Sequence, residues 1–193
     1  MEDMNSHQYW ELRYLENNTQ WDIGYPSTPI ASYMDSMNDK EIRILIPGCG
    51  NAHEAKYMLD QGFNDLTLID IASQPVKKLR DALRPFGTKV KIMEADFFAL
   101  DDQFDLIIEQ TFFCALTPDR RTDYVKKMQQ LLKPNGKLVG VLFNRSFESG
   151  PPFGGSAVEY EQLFSSCFSN VAITPCYNSI PSRQGAEVFI NIS

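Results

Sequence analysis

The chain has 193 residues, of which 43% are hydrophobic, 12% aromatic and 22% charged, and its formal net charge is −7. That length suits one compact domain burying roughly 70% of its unfolded surface, and the many aromatic and β-branched residues exclude a disordered chain. No apolar run approaches the ~20 residues of a membrane helix, the opening MEDMNSHQYW has no signal-peptide core, and the acidic balance disfavours a nucleic-acid surface.

Residues 1–40 suggest a helix around His7–Glu16, an irregular stretch TQWDIGYPSTP and a short helix ending near Asn38. From residue 41 onward, β-type runs alternate with helical patterns. The runs are Ile42–Ile46, Leu66–Ile69, Val90–Met93, Phe104–Ile108 and Lys137–Phe143, and the near-continuous ones are expected for strands covered on both faces. Ser73 is placed to cap a helix carrying Val76, Leu79, Ala82 and Leu83 on one stripe. Thr117 is expected to cap the next, which Lys133-Pro134-Asn135-Gly136 would end; Ser156 and Glu159 form a capping-box pattern for the last. Val171–Thr174 and Glu187–Ile192 have no room for a helix between them and read as an antiparallel pair closing the sheet. The alternation implies right-handed βαβ units. One α/β domain is expected over residues 1–193, a doubly wound, mostly parallel sheet with a lid-like extension over residues 1–40.

Four cysteines (Cys49, Cys114, Cys167, Cys176) show no C-x-x-C pairing and only two histidines could join them. Neither a disulfide framework nor a metal site is expected, and a reducing cytoplasm fits best.

The strongest chemical signal is IRILIPGCGNAHEA, which puts Gly48 and Gly50 directly after the first strand, at the edge where doubly wound sheets bind ligands. Glycines there let the backbone approach a ligand closely. A dinucleotide fingerprint would need a third glycine at position 53, where His53 stands; this, with the lack of a second substrate domain, counts against a nicotinamide dehydrogenase. Asp70 ends the second strand, 20 residues past Gly50, where a carboxylate can grip both hydroxyls of a ribose. Asp96 ends the third strand, placed to accept from an exocyclic amine while Phe97 packs on a purine face.

Together, PGCGNAHE, LIDIA, EADFF, FDLIIEQTFFCAL and LLKPNGKLVGVLF resemble the class I S-adenosylmethionine-dependent methyltransferases. WDIGYPSTP, PGCG, TFFCAL and GPPF narrow the resemblance to the thiopurine S-methyltransferase family and its plant-type halide/thiol methyltransferase branch, over nearly the whole chain. The resemblance implies seven strands with a reversed terminal hairpin, S-adenosyl-L-methionine as cofactor and an aromatic N-terminal segment covering it. The family's aromatic positions there fall on Trp10, Tyr14 and Trp21, Tyr14 standing where a tryptophan is usual. Gly48, Asp70, Asp96 and Phe97 fall on cofactor-binding positions, with Gly50 in the same loop. Gln110, also expected at a cofactor-binding position, stands where plant members carry a tyrosine, and Glu109 replaces an aspartate. Ala52 stands at the superfamily's third loop glycine.

Methyl transfer from a sulfonium to an anion or thiol disperses charge, so it needs alignment and water exclusion more than proton shuttling. Phe112, Phe113 and Phe153 are candidates for an aromatic cage and substrate wall, and Arg145, after the fifth strand, for attracting an anionic acceptor. His53, at a helix start, reads as a cap or packing residue, and Glu54 either reaches the cofactor's amino group or simply favours the helix. The absence of an N/D-P-P-Y motif after the fourth strand weighs against nucleic-acid substrates. The expected partner is a small-molecule methyl acceptor, a thiol, sulfide or halide first, and the expected state a monomer or weak dimer. The alternatives are another small acceptor (aromatic thiol, metalloid or hydroxylated compound) or a non-catalytic cofactor-binding protein, the latter because of Gln110.

Overall fold

The computed structural model describes residues 3–193. Among them, seven strands form one sheet: β1 (Ile44–Pro47), β2 (Leu66–Asp70), β3 (Val90–Glu94), β4 (Phe104–Gln110), β5 (Leu132–Phe143), β6 (Val171–Pro175) and β7 (Glu187–Ile192). Their spatial order is β3-β2-β1-β4-β5-β7-β6. β1 to β5 are parallel, and β7 runs antiparallel to both β5 and β6. The expected antiparallel closure at the C-terminus is therefore present, with the last strand inserted between its predecessors. The chain reverses direction across the sheet between β1 and β4, the crevice where this architecture binds ligands.

Alternation along each strand divides the core between the two sheet faces. Ile44 and Ile46 of β1 pack on one side with Ile30 and Met34 of α2 (Thr28–Asp35), Met58 and Leu59 of α3 (His53–Asp60) and Leu79 of α4 (Ser73–Ala82). Leu45 points to the other, against Tyr124, Val125 and Met128 of α5 (Arg121–Leu131) and Tyr160 and Phe164 of α6 (Ala157–Phe164). Both faces of β1 and β2 are buried throughout, which is why those runs read as continuous apolar segments.

The expected capping box is made: Ser156 Oγ accepts from the Glu159 amide at 3.3 Å, and the Ser156 amide donates back to Glu159 Oε2 at 2.7 Å. Three expectations are corrected. Ser73 does not cap α4. Ala72 stands at that position with its amide donating to Asp70 Oδ1 at 2.8 Å, and the Ser73 hydroxyl donates to Glu94 Oε1 at 2.6 Å. The Thr117 hydroxyl caps nothing either; it accepts from Asn5 Nδ2 at 2.9 Å, while a 3₁₀ turn at Pro118–Arg120 leads into α5. Lys133–Gly136 does not form a terminating turn. α5 stops at Leu131 and the stretch opens β5, Leu132 pairing with Phe104 before the register shifts and Asn135 taking φ +68°. A proline-asparagine-glycine run suits a bulge as well as a turn.

Candidate active site

A cavity of about 500 Å³ opens at the carboxyl ends of β1, β2, β3 and β4. Its floor begins at Pro47, where the chain turns with Gly48 at φ +54° and Gly50 at φ +51°. A Cβ at Gly48 would stand 2.7 Å from Phe112 Cγ and closer still to Cδ2, and one at Gly50 would stand 2.9 Å from the Tyr14 hydroxyl. Both positions thus need glycine for conformation and for space. Ala52 holds a left-handed φ of +46° just before α3, a strained geometry for a residue with a Cβ.

Asp70 ends β2 facing the cavity, only 7% exposed. Its Oδ2 accepts the Gly50 amide and its Oδ1 the Ala72 amide, each at 2.8 Å. Burial raises its pKa, and these backbone donors pull against that rise. Each oxygen keeps a lone pair for a further donor. Asp96 lines the cavity from an exposed position and accepts the Phe98 amide at 2.9 Å, while buried Phe97 meets Phe112 edge-on at 5.1 Å.

The roof comes from α1 (His7–Leu15) and the segment after it. Trp21 packs edge-on against Trp10 at 5.5 Å and Tyr14 at 5.7 Å. Burial, then the nearby Asp70 charge, push the Tyr14 phenol well above its ordinary range, so it stays a neutral donor. Besides the Gln74 amide donating to Glu11 at 3.1 Å and a His7–Ser73 contact at 3.3 Å, three sets of bonds hold this roof. Asp22 accepts from His53 Nε2 at 2.7 Å, from the Gly24 amide at 2.8 Å and from Asn51 Nδ2. Arg183 donates to the Trp21 carbonyl at 3.0 Å. Asn5 and Thr117 exchange two hydrogen bonds. His53 thus neither caps α3 nor serves only to pack: its ring ties the roof through Asp22. Glu54 does not reach the cavity; its Oε1 accepts the Ser27 amide at 2.9 Å, fixing the start of α2.

Of the residues singled out from the sequence, Trp10, Tyr14, Trp21, Gly48, Asp70, Asp96, Phe97, Phe112 and Arg145 line this one cavity. Gly50, Gln110, Phe113 and Phe153 do not. Gly50 spends its amide on Asp70, and the Gln110 carbonyl oxygen accepts from Ser27 Oγ at 3.2 Å. Phe113 turns into the core, 1% exposed, against Tyr124 and Tyr160. Phe153 folds onto its own loop, its ring over Gly150 and its amide donating to the Cys114 carbonyl at 2.6 Å.

Sequence reasoning missed three cavity arginines, Arg13, Arg120 and Arg183. Arg13 was discoverable, because Trp10, Arg13 and Tyr14 are spaced to share one helical face. Arg183 gives no such signal: its guanidinium reaches the cavity because the β6–β7 hairpin folds back, where buried Glu187 stands 3.6 Å away.

Comparison with known proteins agrees with this geometry. The chain matches the family Thiopurine S-methyltransferase (TPMT) over residues 5–184. It is 31% identical to the probable thiol methyltransferase 2 of Arabidopsis thaliana, covering 95% of this chain and 83% of that one. It is 29% identical to thiocyanate methyltransferase 1 of Brassica oleracea (92% and 81%), and 25% to the thiopurine S-methyltransferase of Vibrio parahaemolyticus (83% and 82%). The fold is shared with the Burkholderia thailandensis 1,6-didemethyltoxoflavin-N1-methyltransferase, solved with bound 1,6-didemethyltoxoflavin and S-adenosylhomocysteine, at a TM-score of 0.77 and 16% identity over 96% of this chain and 85% of that one. A glycopeptide N-methyltransferase complexed with S-adenosylhomocysteine shares it at 0.72 and 12% identity over 97% and 98%. With the family matched from the roof helix to the C-terminal hairpin, the chain belongs to the thiopurine S-methyltransferase family and is a methyltransferase.

Proposed function

We propose that this enzyme methylates a small anionic nucleophile, a thiolate, hydrosulfide, thiocyanate or halide, with S-adenosylmethionine as donor. The cavity fits that cofactor: a buried carboxylate with free lone pairs for a ribose, an aromatic ring pair for a purine, and an aromatic roof for a cation. Asp70 would take the ribose hydroxyls, Asp96 and Phe97 the adenine, and Trp10, Tyr14 and Trp21 the sulfonium end, an attraction of about 0.5–2 kcal/mol. Gly48 admits the cofactor's chain against the backbone. When bound, the cofactor supplies a methyl group on a positively charged sulfur, open to in-line displacement. The part of residues 3–22 that roofs the cavity excludes water from it, and good alignment of the reactants is worth roughly 7–11 kcal/mol of barrier at best.

The observation that carries the acceptor class is the charge at the cavity's other end. Arg145 and Arg183 line it beside Phe147 and Phe143, with Arg13 and Arg120 elsewhere in the cavity wall, in a chain whose net charge is −7. No histidine is among the described lining residues, and burial keeps the Cys114 thiol protonated by pushing its pKa up to about 12. A site rich in guanidinium and poor in bases suits an acceptor that arrives already ionised. Phe143, Phe147, Pro151 and Pro152 also line this end, and that apolar wall favours an aromatic thiol as the second reading.

Four free thiols and the absence, among the described residues, of any helix long and apolar enough to cross a membrane support a cytoplasmic enzyme. The acidic charge supports a protein that works without nucleic acid, as a monomer or weak dimer. The test is S-adenosylhomocysteine release over iodide, hydrosulfide, thiocyanate, a thiophenol and a thiopurine. Turnover of the inorganic anions is expected. Turnover of the aromatic thiols alone would select the second reading. Binding without turnover of any of the five would point to an acceptor outside the panel or to a non-catalytic binder.

A further inference from the structure

Glu109 takes no part in the chemistry described above, yet it is fully buried directly behind the cavity wall. Its Oε1 accepts two consecutive amides, Phe112 at 2.8 Å and Phe113 at 2.9 Å, and its Oε2 accepts the Tyr124 hydroxyl at 2.6 Å. Three donors converge on one carboxylate; a glutamine could keep both amides on its one oxygen, but without the charge that strengthens them, and its amino group would force the Tyr124 hydroxyl to turn and accept. The sheet makes room for it. Gly140 of β5 lies opposite Glu109, and a Cβ there would stand 2.5 Å from the Glu109 Cβ and closer to its carbonyl oxygen.

What Glu109 holds is the turn after β4. Thr111 in that turn has φ +61°, an uncommon conformation for a β-branched residue and one that persists only where the surroundings enforce it. From this turn Phe112 reaches over Gly48 and against Phe97, and Thr111, Cys114 and Leu116 reach the cavity. We propose that Glu109 is a positioning residue that holds the 111–116 turn, and through it the Phe112 wall between the cofactor loop and the acceptor end of the cavity. This rests on the methyltransferase reading above.

The groups facing Glu109 are Tyr124 from α5, Cys114 from the turn itself and Glu187 of β7 across a small void. β1 brings no titratable side chain, and Arg121 and Arg183 act on the neighbouring Cys114. Burial pushes the Glu109 carboxyl up to about 7, against the pull of the Tyr124, Phe113 and Phe112 donors. Near neutrality, then, an ionised clamp gives way to a protonated one that holds the amides less strongly.

The experiment follows two readouts against pH in wild type, Glu109→Gln and Tyr124→Phe. One is turnover of iodide, an acceptor with no proton to lose, at saturating cofactor. The other is S-adenosylhomocysteine affinity by calorimetry. In wild type both should weaken on acidification through about pH 7, by roughly tenfold for turnover. Glu109→Gln should be about tenfold slower and flat with pH. Tyr124→Phe removes one donor from the carboxylate, so the midpoint should move up by about half to one pH unit. A glutamine variant that retains the wild-type fall would overturn the proposal. So would an unmoved midpoint in Tyr124→Phe, which also decides the matter if the glutamine variant does not fold. Wild type that binds no S-adenosylhomocysteine would instead overturn the methyltransferase reading and this proposal with it.

Discussion

Gly48 and Phe112 compete for one volume: the ring of Phe112 occupies the space that any side chain on Gly48 would need. The contact joins the end of β1 to the turn after β4, across the point where the sheet reverses direction. Gly48→Ala must therefore displace the ring while also holding an alanine at φ +54°. Destabilisation of about 1–3 kcal/mol is expected, with at least tenfold weaker S-adenosylhomocysteine binding. Urea denaturation and calorimetry read the two effects separately, and wild-type affinity in the variant would show that the ring is not part of the cofactor wall.

Asp70 is the residue on which cofactor affinity should depend most. Asp70→Ala removes the carboxylate and is expected to weaken S-adenosylhomocysteine binding by about 2–4 kcal/mol, since hydrogen bonds to a charged group are the strong ones. The loss of a buried charge partly offsets the loss of its two backbone partners, so the chain should remain folded. Calorimetry showing unchanged affinity would remove Asp70 from the site.

Asp22 should matter for the roof and not for the floor. Despite some burial, hydrogen bonds from Gly24, Asn51 and His53 hold its carboxyl below the ordinary range. A carboxylate with a depressed pKa contributes stability that is present above its unfolded value and lost as pH falls through the folded one, so this tie persists at neutral pH and fails only in strong acid. Asp22→Ala should expose residues 16–26 to limited proteolysis at pH 7 with little change in global stability. Unchanged cleavage would leave the Arg183, Asn5 and Glu11 ties as sufficient.

Glu109 carries the opposite sign. Its carboxyl is raised from an ordinary 4.5 to about 7, so the folded state binds the proton more tightly than the unfolded chain. Stability from this group is full below about pH 4.5, declines as pH rises towards 7 and is flat above. Wild type should lose about 3 kcal/mol relative to Glu109→Gln over that interval. Parallel stability curves for the two proteins would contradict it. The form that best clamps the active-site turn is thus the one the fold tolerates least.

Arg183→Gln should raise the KM for thiocyanate or iodide about tenfold while leaving the cofactor floor intact. The substitution also frees the Trp21 carbonyl, so faster cofactor dissociation is expected alongside. An unchanged KM would assign Arg183 to the roof alone.

The sheet was legible because its central strands are buried on both faces, leaving unbroken apolar runs that glycine, proline and capping residues punctuate. The carboxyl-edge residues followed from strand ends, since a strand fixes where its last side chain emerges. Turns were harder. Phe112 and Phe113 are adjacent and chemically identical, yet the 3₁₀ geometry after β4 sends one ring to the cavity and the other to the core. Nothing in their own sequence distinguishes them; the two amides fixed by Glu109 do. Gln110 lost its expected role because Ser27, distant in sequence, supplies the donor its amide oxygen takes. Arg183 depends in the same way on long-range folding, as a loop residue brought in by hairpin pairing.

Residues 3–40 are mechanically two parts. α2 is rooted: Ile30 and Met34 are each 1% exposed, and Ser27 at its start is pinned to both Glu54 and Gln110. α1 and the Trp21 segment sit on the other side of Gly24, at φ +79°, attached by two buried tyrosines and a few polar ties. A door of this build has its hinge post set in masonry. Displacing α1 and the Trp21 segment about residues 23–26 would uncover Tyr9 and Tyr14 and break a few hydrogen bonds, while Ile30 and Met34 keep their neighbours.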